Sequence, residues 1–252
     1  MDDEDRRVSM TVCNHVGFFD VLVLIFGPIC PGFTPKESLA EVPVLAALIR
    51  GLQSIFVSRG ANEAERELVV KQIMDRQSQI EDEGAEFQPL CLFAEGSTTN
   101  NSHLIKFKRG AFQAMRTVQP CFIKFDYGMV NPCYDTIDFW HLIILMISSL
   151  GLYKSHLYIM PPFTPNEYML EKHADKGTED WEIFAWCVRD AMAKTGNFAI
   201  SDQPLREKLQ FERFMKCEVD EITYNGKTYT AKDAVIKKKN TEQSQPNQEP
   251  LL

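Results

Sequence analysis

The chain has 252 residues, of which 44% are hydrophobic, enough to bury one substantial core. Its formal charge of −8 opposes a nucleic-acid-binding role, because phosphate backbones are held mainly by basic surfaces. The seven cysteines form no CxxC pair and are typical of reduced core residues, which favours the cytosol or the cytosolic side of a membrane.

The first part of the chain alternates between apolar and amphipathic segments. VSMTVCN (8–14) predicts a buried strand, and FDVLVLIF (19–26) predicts either an apolar helix or a second buried segment. VPVLAALIRGL (42–52) predicts a short helix, and SIFVSR (54–59) predicts a strand. A surface helix then runs from Asn62, a candidate capping residue, to about Asp82.

Strands predominate in the middle of the chain, and a helix follows them. LCLFAEG (90–96), CFIKFDY (121–127) and LYIMPPF (157–163) predict strands. Apolar residues spaced by four, three and four predict a helix over 180–195, with Gly196 as its stop. The alternation of strands and helices predicts an α/β fold with a largely parallel central sheet flanked by helices.

Composition divides the chain into four predicted segments. Residues 1–7 form an acidic N-terminal segment without a signal peptide, and residues 8–215 form the main domain. Alternating Thr and Tyr residues around Asn-Gly predict a possible β-hairpin extension over 216–234. The polar residues 235–252 predict a disordered tail.

Two uncharged segments, 21–35 and 139–153, are too short to cross a bilayer as helices of about 20 residues. Each is consistent with a buried helix. Each is equally consistent with a segment that inserts partway into a membrane, with Trp140 and Tyr153 at the headgroup level.

The run NHVGFFD (14–20) supplies a candidate general base. A neutral imidazole is well suited to removing a proton from a hydroxyl near pH 7, and a nearby carboxylate orients it. We expect His15 to act as this base and Asp20 to hold its other ring nitrogen. Taken alone, this spacing favours a histidine that is simply hydrogen-bonded at the start of a helix, and a second element is needed to indicate catalysis.

A second element, Glu95-Gly96-Ser97-Thr98, follows an apolar strand, where α/β sheets place their ligands. Gly96 permits close backbone approach to a phosphate, and Ser97 offers a hydroxyl donor. Arg59 is the candidate cation, and Glu95 either contacts the substrate or accepts backbone N–H groups. We expect no metal site, because the histidines show no paired ligand spacing.

Four blocks in order resemble the glycerophospholipid acyltransferase family. They are Asn14-His15 to Asp20, Ile55 to Arg59, Phe93 to Ser97, and Val118-Gln119-Pro120. Within the family, the segments QSIFVSRG, 95–112 and 158–165 are similar to the lysophosphatidylcholine acyltransferase branch. The chain departs from the family pattern at Ala94, where proline is usual, and at Ser97, where threonine is usual.

The resemblance implies transfer of a fatty acyl group from acyl-CoA to the free hydroxyl of a lysophospholipid, with no bound cofactor. By the same resemblance, His15 and Asp20 are catalytic, while Arg59 and Glu95-Gly96-Ser97 line the phosphate site. Lys106, Lys108 and Arg109 either hold the phosphates of CoA or form a solvated basic turn.

The resemblance also implies a membrane-associated protein of the endoplasmic reticulum or Golgi, with its active site on the cytosolic side. The alternative functions are a glycerol-3-phosphate or lysophosphatidic acid acyltransferase, an inert lipid-binding relative, and a hydrolase that uses water as the acceptor.

Overall fold

The computed structural model describes residues 7–57, 63–127, 131–133, 137, 139–148, 153–203, 205–224 and 227–230. The chain divides into two compact units, Met1–Asp202 and Gln203–Leu252. Four features predicted above lie wholly or mostly outside the described residues: the acidic segment 1–7, the arginine at position 59, the candidate capping residue at position 62, and the tail 235–252.

A four-stranded sheet forms the centre of the first unit. Its strands are β1 (Met10–Cys13), β2 (Leu90–Phe93), β4 (Val118–Tyr127) and β5 (Tyr153–Ile159), in the order β2-β1-β4-β5. The first three are parallel and β5 runs antiparallel to β4. A short parallel pair, β3 (His103–Leu104) with β6 (Ala199–Ile200), lies apart from this sheet. The predicted α/β class with a largely parallel sheet is confirmed.

Helices connect and flank the strands. They are α1 (Phe19–Phe26), α2 (Pro43–Gly51), α3 (Glu63–Glu81), α4 (Phe139–Ser148), α5 (Glu167–Lys172) and α6 (Asp180–Gly196). Proline opens α2, where its missing N–H costs nothing. The side chain of Asn166 caps α5 by accepting from the Met169 N–H at 2.8 Å.

Both faces of β1 are buried, as expected for a strand inside a parallel sheet. Met10 and Val12 join a large cluster with Phe184, Val188 and Met192 of α6. Cys13 joins a second cluster that contains Leu24 of α1 together with Cys91, Cys121 and Ile123. The sheet is therefore covered by helices on both sides.

Two local predictions are wrong. Residues 54–57 do not form a strand, since Val57 makes only an isolated parallel bridge with Lys36. Gly196 does not end α6 through a left-handed backbone, because Asn197 takes that conformation with φ 52°. Gly196 is instead required by close packing: a Cβ at this position would lie 2.3 Å from the Phe198 ring.

The two uncharged segments each contain a short helix, α1 of eight residues and α4 of ten. None of the helices in the described part of the chain has the length and apolar character that a bilayer crossing requires.

The second unit contains a helix and a hairpin. Helix α7 (Leu205–Met215) belongs to this unit, whereas the predicted main domain extended to residue 215. Strands β7 (Glu221–Tyr224) and β8 (Lys227–Thr230) pair antiparallel, with Tyr224 opposite Lys227. The Asn-Gly pair between the two strands lies outside the described residues.

Candidate active site

The register of the sheet brings the two predicted site loops together. Cys13, the last residue of β1, lies opposite Phe93, the last residue of β2. His15 and Glu95 each follow two residues later, and the His15 N–H donates to Glu95 Oε1 at 3.0 Å. The site therefore lies at the carboxyl edge of the parallel strands, where α/β folds commonly bind ligands.

His15 and Asp20 form the bond that their spacing suggests. His15 Nδ1 lies 2.8 Å from Asp20 Oδ2, and the Asp20 side chain is fully buried. The same oxygen accepts from the backbone N–H groups of Val16 at 2.5 Å and Gly17 at 2.9 Å. Because an ionised carboxylate only accepts, Nδ1 carries the proton in the neutral imidazole, and Nε2 then has an available lone pair.

The imidazole is also accessible. The His15 side chain retains 22% of its exposure, whereas Asp20 retains none. Asp20 lies in the first turn of α1, where the positive end of the helix dipole stabilises a negative charge. This arrangement places a proton acceptor at the surface and its carboxyl partner inside the protein.

The Glu95 side chain is buried, and its two oxygens accept from backbone N–H groups. Oε1 accepts from His15, and Oε2 accepts from Ile105 at 3.2 Å. The sequence left two roles open for Glu95, substrate contact and acceptance of backbone N–H groups. This geometry favours the second role.

Two polar residues that were given no role from the sequence also position His15. The Thr99 N–H donates to the His15 carbonyl at 2.7 Å, so the loop after β2 holds both sides of the His15 backbone. The Asn14 amide donates to the Ile123 carbonyl at 3.1 Å and accepts from the Ile123 N–H at 2.8 Å. The Asn14 side chain therefore continues the hydrogen bonding between β1 and β4 beyond the end of β1. The signal for Asn14 in the sequence was its place directly before the histidine, in the block from Asn14 to Asp20.

The loop that contains Gly96 turns back at the end of β2. The Gly96 N–H donates to the Phe93 carbonyl at 2.9 Å, and its φ of 72° is a conformation that favours glycine. Gly96 is exposed, while Ser97 is half-buried in the same loop. The exposed Gly96 backbone therefore leaves room for a ligand to approach closely.

Surface carboxylates pair with two of the three predicted CoA-binding cations. Lys106 Nζ lies 3.4 Å from Glu182, and Arg109 pairs with Glu67. Lys108 has no carboxylate partner among the described residues, and its N–H donates to the Ala94 carbonyl at 2.8 Å. Partial burial, followed by the neighbouring charges of Arg66 and Lys106, lowers the pKa of Lys108. Lys108 therefore remains a candidate anion ligand beside the Gly96 loop.

Three buried cysteines lie beneath the site, on neighbouring strands. Cys13 and Cys121 occupy the same register position on β1 and β4, and Cys91 lies on β2. Burial raises the pKa of the Cys13 and Cys91 thiols well above the usual range. Within the described ranges, no group of three or more His, Cys, Asp or Glu side chains is arranged to hold a metal ion.

A family model described as Acyltransferase matches residues 4–132, just over half of the 252 residues. The chain belongs to the acyltransferase family. The matched range contains the His15–Asp20 pair and the Glu95-Gly96-Ser97 loop.

Curated relatives in this family share 27–29% identity with the chain. Lysophospholipid acyltransferase LPEAT1 from Arabidopsis thaliana is 27% identical over 208 residues, which cover 82% of this chain and 49% of that protein. Lysophosphatidylcholine acyltransferase from Drosophila melanogaster is 29% identical over 211 residues, covering 81% and 36%. Lysophosphatidylcholine acyltransferase 2 from Homo sapiens is 27% identical over 189 residues, covering 75% and 32%. The chain thus spans half or less of the length of each of these relatives.

One solved structure that matches is the 1-acyl-sn-glycerophosphate (LPA) acyltransferase PlsC from Thermotoga maritima. It is 22% identical, with a TM-score of 0.40, and the match covers 75% of this chain and 68% of that one. This likeness is too low to indicate a substrate.

Proposed function

We propose that this acyltransferase family member transfers a fatty acyl group from acyl-CoA to the free hydroxyl of a lysophospholipid. The observation that carries the proposal is the 2.8 Å bond between His15 Nδ1 and the buried Asp20 carboxylate. It orients a partly exposed imidazole with a lone pair at Nε2, beside a glycine turn suited to an anion.

In the proposed reaction, His15 acts on the acceptor. Nε2 removes the proton from the lysophospholipid hydroxyl as that oxygen attacks the thioester carbonyl carbon. The C–O bond forms, the C–S bond breaks, and the CoA thiolate then takes the proton from the imidazolium. Asp20 stabilises the imidazolium while it exists. The products are a phospholipid and CoA with a free thiol.

The phosphate of the acceptor is proposed to bind at Gly96 and Ser97, with Arg59 as its cation. The names of the three relatives support a lysophospholipid acceptor, with lysophosphatidylcholine in two of them. A smaller acceptor, glycerol 3-phosphate or lysophosphatidic acid, presents the same hydroxyl and phosphate chemistry and is the second candidate.

Lys108 is proposed to bind a phosphate of the CoA donor. Partial burial and positive neighbours make its charge unfavourable, and a bound anion would offset these costs. Its position next to Ala94 is compatible with a ligand that reaches toward the Gly96 loop.

A membrane surface is the proposed location of the reaction, on the cytosolic side of the endoplasmic reticulum or Golgi. Short helices α1, α2 and α4 expose large apolar side chains, which suit contact with lipid. These include Phe26 at 85% and Val44 at 84% exposure, together with Leu48, Trp140 and Ile147. The free cysteines support a reducing compartment.

The experiment that tests the proposal measures release of the CoA thiol from acyl-CoA in the presence of a panel of acceptors. The panel contains lysophosphatidylcholine, lysophosphatidylethanolamine, lysophosphatidic acid and glycerol 3-phosphate. His15→Ala is compared with His156→Ala as a matched control, since His156 also pairs with a carboxylate, that of Asp126 at 3.0 Å, but lies on β5.

The proposal predicts acceptor-dependent release by the native chain and by His156→Ala, and at least about a 100-fold loss in His15→Ala. Preference for glycerol 3-phosphate or lysophosphatidic acid would select the second candidate. Equal release without any acceptor would indicate a hydrolase. No release above the His15→Ala background would indicate a lipid-binding protein without turnover.

A further inference from the structure

We propose that Phe93 is a positioning residue that fixes the plane of the His15 imidazole. The two rings stack face to face, with centroids 3.9 Å apart and an interplanar angle of 12°. The phosphate-binding role that the resemblance gives to Glu95-Gly96-Ser97 does not explain this contact. A phenyl ring offers no hydrogen bond to a phosphate or a hydroxyl. The inference rests on the proposed role of His15 as the base.

The bond to Asp20 holds Nδ1 in place but does not by itself fix the plane of the imidazole. The ring keeps some freedom about its Cβ–Cγ bond, a torsion with a broad energy well. Contact across the ring face narrows that freedom. Asp20 and Phe93 together therefore determine where Nε2 points, and small errors in this direction cost large factors in rate.

The stacking partner is itself held firmly. Phe93 is the last residue of β2 and lies opposite Cys13 in the parallel ladder. Its other neighbour is Phe33, whose ring is 6.2 Å away at an interplanar angle of 17°. A ring that stands at the end of a sheet strand and packs against a second aromatic side chain is a rigid platform, as precise positioning requires.

The contact also favours the charged form of the base during the reaction. An aromatic face attracts a cation placed over it, so the imidazolium formed when His15 accepts a proton gains stabilisation from Phe93. This attraction is stronger for the imidazolium than for the neutral imidazole. It therefore lowers the barrier to proton transfer and leaves substrate binding unchanged.

The test compares Phe93→Leu, Phe93→Tyr and Phe93→Trp in the full chain. Phe125→Leu is the matched control, because Phe125 packs against the same apolar cluster from β4. Steady-state kcat and KM for the preferred lysophospholipid are measured, together with the NMR shifts of the His15 ring protons. Stacking at 3.9 Å is expected to displace those shifts through the ring current of Phe93.

We expect Phe93→Leu to lose about 10- to 100-fold in kcat, with KM changed less than about threefold and with the ring-current displacement abolished. The two aromatic variants keep at least about half of native kcat, and Phe125→Leu keeps native kcat. Should Phe93→Leu not fold, Phe93→Met replaces it in the same comparison.

Native kcat in the aliphatic variant would overturn the inference. So would an equal loss in the aromatic variants or in Phe125→Leu, since each result indicates only a packing role. A native chain without any His15-dependent turnover would instead refute the proposed function, and the positioning role would fall with it. The two failures are therefore distinguishable.

Discussion

The backbone N–H of His15 donates to the carboxylate of Glu95 at 3.0 Å, across 80 positions of sequence. This bond joins the two loops that leave β1 and β2. Because the other Glu95 oxygen accepts from Ile105, one buried side chain holds the candidate base in place and ties the loop after Gly96 to it.

Glu95→Gln tests this holding role. An amide has one acceptor oxygen, so one of the two buried N–H groups loses its partner and faces an NH₂ group. We expect the free energy of unfolding in urea to fall by about 1–3 kcal/mol, with kcat falling in parallel. Glu83→Gln, at an exposed position, is the control and should change neither. Unchanged stability with a lower KM would indicate instead that Glu95 contacts the substrate phosphate.

Asp20→Asn isolates the charge that supports His15. The amide oxygen is able to replace Oδ2 as acceptor for His15 Nδ1, Val16 and Gly17, while the negative charge is lost. Without it, the imidazolium formed during transfer is not stabilised. We expect kcat to fall about 10²- to 10⁴-fold, with a smaller change in KM. Single-turnover rates with saturating acyl-CoA provide the measurement, and a native rate would remove Asp20 from the mechanism.

Much of the fold was predictable because it follows from strand and helix periodicity. The apolar runs that became β1, β2 and β4, and the stripe on α6, are buried as their patterns predicted. The strand expected at 54–59 was wrong in its described part, since an apolar run is compatible with a strand but does not supply a neighbouring strand to pair with it.

The catalytic side chains of the candidate site were predictable from the sequence, but the residues that position them were not. The spacing of His15 and Asp20 permits contact between them within a single loop and helix start. The contributions of Asn14, Thr99 and Phe93 depend on the register of β1 with β2 and β4, which pairs residues about 80 to 110 positions apart. Local pattern carries no information about that register.

Lys108→Met is expected to have opposite effects on the stability of the fold and on the binding of acyl-CoA. Because the pKa of Lys108 is lowered in the fold, its charged form is unfavourable there. The cost is fully present at neutral pH and disappears as the pH rises through the folded value toward the ordinary lysine range. We expect Lys108→Met to raise the melting temperature at pH 7, with the gain shrinking at high pH.

The same variant should weaken use of the donor, since a phosphate ligand would lose its cation. A rise of about 10-fold in KM for acyl-CoA, and a weaker dependence of that KM on salt, is expected. Arg109→Met is the comparison, because Arg109 already pairs with Glu67. A lower melting temperature with unchanged KM would contradict both parts of the argument.

The buried thiols should resist alkylation in the native protein. Burial raises the pKa of Cys13 and Cys91 well above the usual range and that of Cys187 to about 11, so little reactive thiolate is present at pH 8. Cys217 is exposed and should label first. Mass spectrometry after timed iodoacetamide treatment is expected to show at least about 100-fold slower labelling of the buried cysteines than of Cys217. In denaturant this difference in rate should disappear. Equal labelling of Cys13 and Cys217 in the native state would contradict the described packing.

The most direct test of acyl transfer by His15 follows an isotopically labelled acyl group from acyl-CoA into lipid, with native protein and with His15→Gln. We expect labelled phospholipid formed in equal amount to free CoA, and at least about a 100-fold lower rate in the variant. Labelled phospholipid formed at the same rate by both proteins would contradict the role of His15. Labelled free fatty acid in place of phospholipid would contradict transfer itself.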